Sequence, residues 1–304
     1  MNVAPDNAAP FAAQRDGDWL KGPWRRPTNN SSHEAGTIHD DITARALGFR
    51  SGTVAGSIHM EQFVPLMVAA FGPAWQRTGS LSLWFCAPST GGEPVQAMVQ
   101  TIVQTGGPGD GTRAVRMLTN GGVEVMHGTA SAGLDPNGEV RQRLARQRSG
   151  APPRMLAGIA PGFAARGLPT QVPQADIARR LPFITERRAA FSQPNAHGAC
   201  EVPLSAAVHA MRVFEAQLPV ARSGFVGLFG AIEWQWLAGP MWADRTYEVS
   251  GAVLALGDSP RSEMLWTETT LHDPELKQDV ARMLMLSRLL KDSSPLWQTA
   301  SHHL

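Results

Sequence analysis

The sequence predicts an α+β fold in which one unit, a helix followed by a meander of strands, is built twice. Three observations carry this reading. The run I-H-M-E-Q-F-V-P-L-M-V-A-A-F has the spacing of a buried helix and is followed by four strand-like runs separated by Gly-rich turns. A second helical run, P-L-S-A-A-V-H-A-M-R-V-F-E-A-Q-L, is again followed by strand-like runs. Between them, residues 149–175 hold five prolines and four glycines, the composition of a connecting segment laid over a surface.

Composition agrees with an ordinary globular protein. Of 304 residues, 43% are apolar and 17% charged, with a formal net charge of +1, enough to bury a sizeable core in two domains. Lys and Arg are scattered rather than grouped in a basic stripe, which argues against nucleic acid as a partner. The first sixteen residues, M-N-V-A-P-D-N-A-A-P-F-A-A-Q-R-D, lack the charged and apolar regions of a secretory signal, and no run has the length of a membrane span. A cytoplasmic protein without a membrane partner is expected. Cys86 and Cys200 stand far apart in apolar neighbourhoods, so both are expected to be buried, unpaired thiols, with no disulfide framework or thiolate metal site.

The elements follow in order. Residues 1–32, rich in Pro, Asn, Asp and Ser, are expected to form an irregular arm pinned by Trp19 and Trp24. The first repeat spans 33–148. In it Asp41 is expected to cap a short helix, I-T-A-R-A-L, which Gly48 stops. The turn S-G-T-V-A-G-S leads into a central helix over 57–71, where Met60, Phe63, Val64, Met67 and Phe71 recur at three-and-four spacing and Pro65 is expected to bend the axis. L-S-L-W-F-C-A, P-V-Q-A-M-V-Q-T-I-V-Q, T-R-A-V-R-M-L and V-E-V-M-H-G-T-A-S-A are the strands. Residues 149–180 form the linker. In the second repeat, 181–304, a helix over 204–217 precedes G-A-I-E-W-Q-W-L-A-G-P-M-W-A-D, which has the cadence of S-L-S-L-W-F-C-A-P-S-T-G-G-E, and then T-Y-E-V-S-G-A-V-L-A-L and E-M-L-W-T-E-T-T-L. The run P-E-L-K-Q-D-V-A-R-M-L-M-L-S-R-L-L-K closes the chain as an expected amphipathic helix through Leu276, Val280, Met283, Leu284 and Leu290.

Three stretches together, I-H-D-D-I-T-A-R-A-L-G-F, V-A-G-S-I-H-M and L-S-L-W-F-C-A-P-S-T-G-G-E-P-V, resemble the MaoC-like, (R)-specific enoyl-CoA hydratase group over roughly residues 30–130. The second half is similar to the degenerate copy of double hot-dog members. The resemblance implies a double hot-dog fold, two central helices each wrapped by an antiparallel sheet, and a lyase that adds water to, or removes it from, an acyl thioester of fatty acid metabolism. It implies acyl-CoA or an acyl-carrier thioester as substrate, no metal or redox cofactor, and a homodimer of double hot-dogs.

The group's motif places an Asp five residues before a His, an Asn between them and a Pro just before the His. Carried onto this chain, the His is His39, the Asp position holds Glu34, the Asn position Gly36 and the Pro position Thr37. The acid/base pair is thus a longer carboxylate with the same imidazole, and the orienting Asn is gone. Hydration needs one group to deprotonate water, another to protonate C2, and a donor for the enolate oxygen. His39 and Glu34 are the catalytic candidates for the proton transfers, and the Gly56 amide is the candidate donor. Asp41 matches a structural Asp at the start of the short helix.

Each assignment has a plainer rival. His39, Asp40 and Asp41 make an ordinary cap cluster, and Gly56 an ordinary close packing of a helix start. Because hot-dog thioesterases use a helix carboxylate, Glu61 is the rival catalytic residue, and with His59 and Trp84 it is a candidate contact for substrate. His59 and Glu61, and likewise His33 and Glu34, lack the further ligands of a zinc site. Trp84, Trp234, Trp236 and Trp242 fit sheet-face packing, and Arg25, Arg26, Arg113 and Arg116 could meet phosphates. The second repeat has F-I-T-E-R-R-A-A-F where the first has its histidine, so any chemistry is expected in the first repeat alone. The alternatives to a hydratase are a hot-dog thioesterase and a non-catalytic acyl-ligand binder.

Overall fold

The computed structural model describes residues 10–101, 111–148, 150–219 and 224–298; the first nine residues of the expected arm, the end of the strand candidate at 102–104, Ser149 of the expected linker and the last six residues lie outside them. The strands are β1 (Gln14–Asp16), β2 (Trp19–Lys21), β3 (Ser80–Phe85), β4 (Val95–Gln100), β5 (Arg113–Thr119), β6 (Glu124–Ser131), β7 (Ala164–Thr170), β8 (Gly227–Trp236), β9 (Tyr247–Asp258), β10 (Ser262–Asp273) and β11 (Gln278–Leu290). They form one eleven-stranded sheet in the order β1-β2-β4-β5-β6-β3-β8-β11-β10-β9-β7, and each neighbouring pair is antiparallel.

That order contains the duplication. The halves β4-β5-β6-β3 and β8-β11-β10-β9 mirror each other across a seam where β3 pairs with β8, with Leu83 opposite Ile232 and Trp84 opposite Ala231. In each half the first strand after the central helix lies at the seam and the second lies farthest from it.

The helices are α1 (Asp41–Ala46), α2 (Gly56–Met60), α3 (Phe63–Phe71), α4 (Trp75–Thr78), α5 (Glu139–Ala145), α6 (Gln174–Arg180), α7 (Leu204–Met211) and α8 (Pro295–Gln298). α2, α3 and α7 cover one face of the sheet: Met60, Phe63, Met67, Ala207 and Met211 join Leu81, Leu83, Ile232, Met283 and Met285 in the main core. On the opposite face α5 places Val140 over Ala231, Trp266, Leu284 and Leu286. Burying one such large apolar side chain stabilises the fold by roughly 1.5–3 kcal/mol. α5 is also tied to the seam by polar contacts. Arg141 bridges Glu233 (3.0 Å) and Glu268 (2.8 Å), and Ser82 donates to Glu233 at 3.0 Å.

Several expectations are corrected. The closing run is strand β11, preceded by a turn over 274–277 in which Lys277 has φ +52°. Asp273 fixes that turn by accepting the N–H groups of Glu275 and Leu276, each at 3.0 Å. Successive residues of β11 point to two buried faces, Met283 and Met285 to the helices, Leu284 and Leu286 to α5. A strand covered on both sides is apolar at every position, so its spacing mimics a helix.

The central helix over 57–71 is two helices, interrupted at Glu61 and Gln62. Pro65 has no N–H for the Glu61 carbonyl and its ring crowds that oxygen, which accepts from Val64 instead at 3.2 Å. The break therefore precedes the proline by a turn, and Pro65 sits in the first turn of α3. The helix over 204–217 is α7 followed by a 3-10 stretch, Arg212–Gln217.

The arm is not wholly irregular, since β1 and β2 form a hairpin whose second strand extends the sheet at β4. The 149–180 segment is not structureless either: β7 is the far edge strand beside β9, and α6 follows it. A sheet edge supplies backbone partners to a Pro- and Gly-rich strand that local preference alone would leave as coil.

Candidate active site

α1 is capped by Asp40, whose carboxylate accepts the N–H groups of Ile42 and Thr43, each at 3.2 Å, and the Thr43 hydroxyl at 2.6 Å. The Thr43 hydroxyl bond, with the backbone bonds beside it, holds this carboxyl below its ordinary range. The expected cap, Asp41, instead accepts from the Ser51 hydroxyl at 2.6 Å and the Gly52 N–H at 2.7 Å, fastening the 51–53 loop to the helix start. That loop lies against His39. A Cβ on Gly52 would stand 2.3 Å from the His39 carbonyl oxygen.

The same loop fixes the His39 ring. Nδ1 of His39 is 2.7 Å from the carbonyl oxygen of Thr53, while the Thr53 N–H donates to the Ile38 carbonyl at 2.9 Å. A carbonyl oxygen only accepts, so Nδ1 carries the proton when the ring is neutral and Nε2 holds the lone pair. Asn29 holds the backbone at this point, Nδ2 donating to the His39 carbonyl at 2.7 Å.

Asn29 also lines a cleft of about 750 Å³ between the arm, α6 and α7, together with Glu34, Asp176, Arg180, Phe183 and His209. Glu34 is exposed on its wall, within electrostatic reach of Arg180 and Arg212. His39 is not among the residues that line the cleft, and among the described residues no hydrogen bond joins its side chain to that of Glu34.

Gly56 begins α2, and its N–H and that of Ser57 donate to no described group, as the first amides of a helix lack intrahelical acceptors. The Phe85 ring lies against Gly56, 3.0–3.3 Å from where a Cβ would be. Ser57 Oγ meets Nε2 of His209, on α7, at 3.4 Å. His209 is exposed on the cleft wall. Partial loss of water around the ring in the cleft, then the neighbouring Arg180, Arg212 and His39, lowers its imidazole well below the usual histidine range, so it is neutral at physiological pH.

The three expected substrate contacts are placed elsewhere. His59 is fully enclosed, its Nε2 2.7 Å from the Ser89 hydroxyl, and burial pushes it down to about 4. Glu61 is 1% exposed and its Oε1 accepts the backbone N–H of Ser205 at 2.6 Å, so it caps α7 instead of facing the cleft. Trp84 points to the α5 face, opposite Leu81 and Leu83, sandwiched by Arg143 at 4.1 Å and Arg288 at 4.9 Å. Strand alternation sends it there.

Of the four arginines, Arg25 forms a buried bidentate pair with Glu186 (2.6 and 3.0 Å), Arg26 donates to the Gly92 carbonyl, Arg113 lies over Phe71 and Arg116 binds Glu124.

Cys86 is exposed, contrary to expectation, while Cys200 is buried. Cys86 ends the β3 seam beside Glu124 and His127, a grouping with metal-ligand chemistry. His127 Nδ1 is 2.9 Å from Glu124 and 3.3 Å from Cys86, but Arg116 and Arg143 occupy the remaining positions on Glu124 and His127. Two guanidinium groups make the place unfavourable for a cation.

No family model and no curated protein match the chain. Solved structures do. One described as a MaoC domain protein dehydratase, from Chloroflexus aurantiacus, aligns over 95% of this chain and 99% of its own with a TM-score of 0.62 at 12% identity. A conserved protein of Mycobacterium tuberculosis described as having a double hot-dog fold aligns over 93% and 97% with a TM-score of 0.57, also at 12% identity.

The chain is a double hot-dog.

In the terms of that fold, α2 with α3 is the first central helix and α7 the second. The cleft of the double hot-dog opens where residues 29–34 face α6 and α7. The sequence reading missed Asn29, Arg180 and His209. A signal for His209 exists in alignment of the two helices: it follows Ser205 by four residues, as Glu61 follows Ser57. Among the described residues no helix is long and apolar enough to cross a membrane.

Proposed function

We propose that this double hot-dog protein is a hydratase or dehydratase of an acyl thioester, interconverting an enoyl and a 3-hydroxyacyl group carried on CoA or a carrier protein. The observation that carries the reading is the His39 ring, oriented by Nδ1–H to the Thr53 carbonyl so that Nε2 is a lone-pair base. In the hydration direction His39 Nε2 takes a proton from water, the oxygen adds to C3, and the electron pair of the double bond moves onto the thioester oxygen. The Gly56 amide receives that oxygen, and C2 then takes a proton from the protonated member of the His39 and Glu34 pair. The dehydration direction runs the same steps backwards. Glu34 supports the scheme by its place on the cleft wall; since His39 does not line that wall, the scheme needs a water that reaches His39 Nε2 past Asn29 and bridges it to Glu34.

The thioesterase alternative needs a carboxylate free to attack or to activate water, and Glu61 is enclosed and engaged with Ser205. The test is incubation with crotonyl-CoA and medium-chain enoyl-CoAs, following the conjugated absorbance and free thiol together. Loss of absorbance without thiol is expected; thiol release favours hydrolysis, and neither signal leaves an acyl-ligand binder. In an active preparation His39→Ala lowers kcat by about 10²–10⁴-fold, the usual contribution of a positioned acid/base. If His39→Ala and Glu34→Gln both keep full rate with sound folding, the hydratase reading fails.

A further inference from the structure

One contact occurs twice in this molecule with different chemistry. Ser57 is the second residue of α2 and Ser205 the second residue of α7. Four residues later in sequence come Glu61 and His209, and each reaches across to the serine of the other repeat. Glu61 Oε1 accepts from the Ser205 N–H at 2.6 Å, and His209 Nε2 meets the Ser57 hydroxyl at 3.4 Å. The crossing is reciprocal, as an internal twofold repeat requires.

The two contacts differ in closure. At the head of α7 the Glu61 carboxylate is 1% exposed and its bond is short, so a protein side chain already fills the place. At the head of α2 the bond is at the long end of the hydrogen-bonding range, and His209 faces the cleft. Among the described residues its Nδ1 has no partner. A weak contact beside an open volume is easily exchanged for a ligand oxygen; a short enclosed one is not.

We propose that His209 is the second repeat's contribution to the site of the first: its Nε2–H leaves the Ser57 hydroxyl and donates to the carbonyl oxygen of the bound acyl thioester, while Glu61 seals the corresponding place at the head of α7. This rests on the acyl-thioester reading above and extends it to a composite site. A carbonyl oxygen has no proton and needs a donor, and a neutral imidazole beside Arg180 and Arg212 donates without surrendering its proton. The role is separate from the proton transfers assigned to His39. It would also account for the expected confinement of chemistry to one of the two repeats: α7 meets a carboxylate where α2 meets a donor.

The test compares His209→Ala, His209→Asn and His209→Gln on whichever enoyl thioester the wild type turns over. A glutamine amide reaches the position of Nε2, whereas an asparagine amide reaches only that of Nδ1. His209→Ala and His209→Asn are expected to lose about 10²–10³-fold in kcat, the range for one lost donor to a developing oxyanion. His209→Gln should retain activity within a few-fold, and the pH limbs of all three should stay at the wild-type positions. Thermal unfolding of each variant separates a folding defect from loss of the donor, and Glu61→Gln serves as a control outside the site. Equal activity in all three variants, or a glutamine variant as impaired as alanine while folded, overturns the proposal and leaves the hydratase reading standing. A shifted pH limb in His209→Gln overturns the donor role in favour of proton transfer. A wild type without turnover on any enoyl thioester removes both readings.

Discussion

The carboxylate of Glu61 in the first repeat accepts the backbone N–H of Ser205 in the second at 2.6 Å, so one half of the chain caps the central helix of the other. Burial pushes this carboxyl above its ordinary range, with the Ser205 bonds and then Arg180 and Arg188 opposing. A carboxyl raised in the folded state stabilises fully below its unfolded value near 4.5, and that contribution is lost as pH rises through the folded value. Glu61→Gln, which keeps an accepting oxygen, is therefore expected to match or exceed wild-type stability at neutral pH and to fall behind at pH 4. Glu61→Ala leaves the amide unpaired and costs about 1–2 kcal/mol. Denaturant unfolding of the three proteins from pH 4 to 8 is the measurement; a glutamine variant much weaker than wild type at pH 8 contradicts the account.

His59 has the opposite slope. Its imidazole is pushed down to about 4 by burial, with Glu93 opposing. A base depressed in the folded state gives stability that is present above its unfolded value near 6.5 and lost as pH falls toward 4. The loss over that window is of order 3 kcal/mol at most. His59→Gln, whose amide nitrogen can reach the Ser89 hydroxyl, should flatten it. Stability against pH for wild type, His59→Gln and the double variant with Glu61→Gln separates the two opposed slopes.

Gly56 and Phe85 are matched by shape. A Cβ on residue 56 meets ring carbons at 3.0–3.3 Å, so Gly56→Ala forces the ring or the start of α2 to move. A cost of about 1–3 kcal/mol is expected, the range for overpacking, with loss of turnover as the amide shifts. Phe85→Leu in the same chain should recover stability. A double-mutant cycle reads the coupling, and additive effects would mean that the two do not compete for space.

Asp40 and Asp41, adjacent in sequence, should give different phenotypes. Asp40→Ala removes the cap of α1 and is expected to cost about 1 kcal/mol. Asp41→Ala releases Ser51 and Gly52 and with them the Thr53 carbonyl that orients His39, so it should lower kcat by more than its effect on unfolding explains. Comparison of kcat with denaturation midpoints decides it; equal effects of the two variants on both readouts would contradict the division of labour.

The sequence by itself determined the α+β class, the duplication and the location of the two central helices, because each rests on local information. Apolar spacing marks a helix covered on one side, and glycine with proline marks the places where regular structure stops. Even the family resemblance resides in short contiguous stretches. What only the tertiary structure decided depends on neighbours far along the chain. The closing run became β11 because both its faces are covered, which erases the pattern that distinguishes strand from helix. Trp84 and Leu83, adjacent in sequence, went to opposite faces. Asp40 took the cap and Asp41 the loop, a choice made by where Ser51 and Gly52 return in space. His209 met Ser57, and Glu61 met Ser205, across more than 140 residues, since only the pairing of β3 with β8 brings the two helices side by side. The chemistry of a side chain is written in its identity, but whether it opens to a cleft or is enclosed is a property of what packs against it.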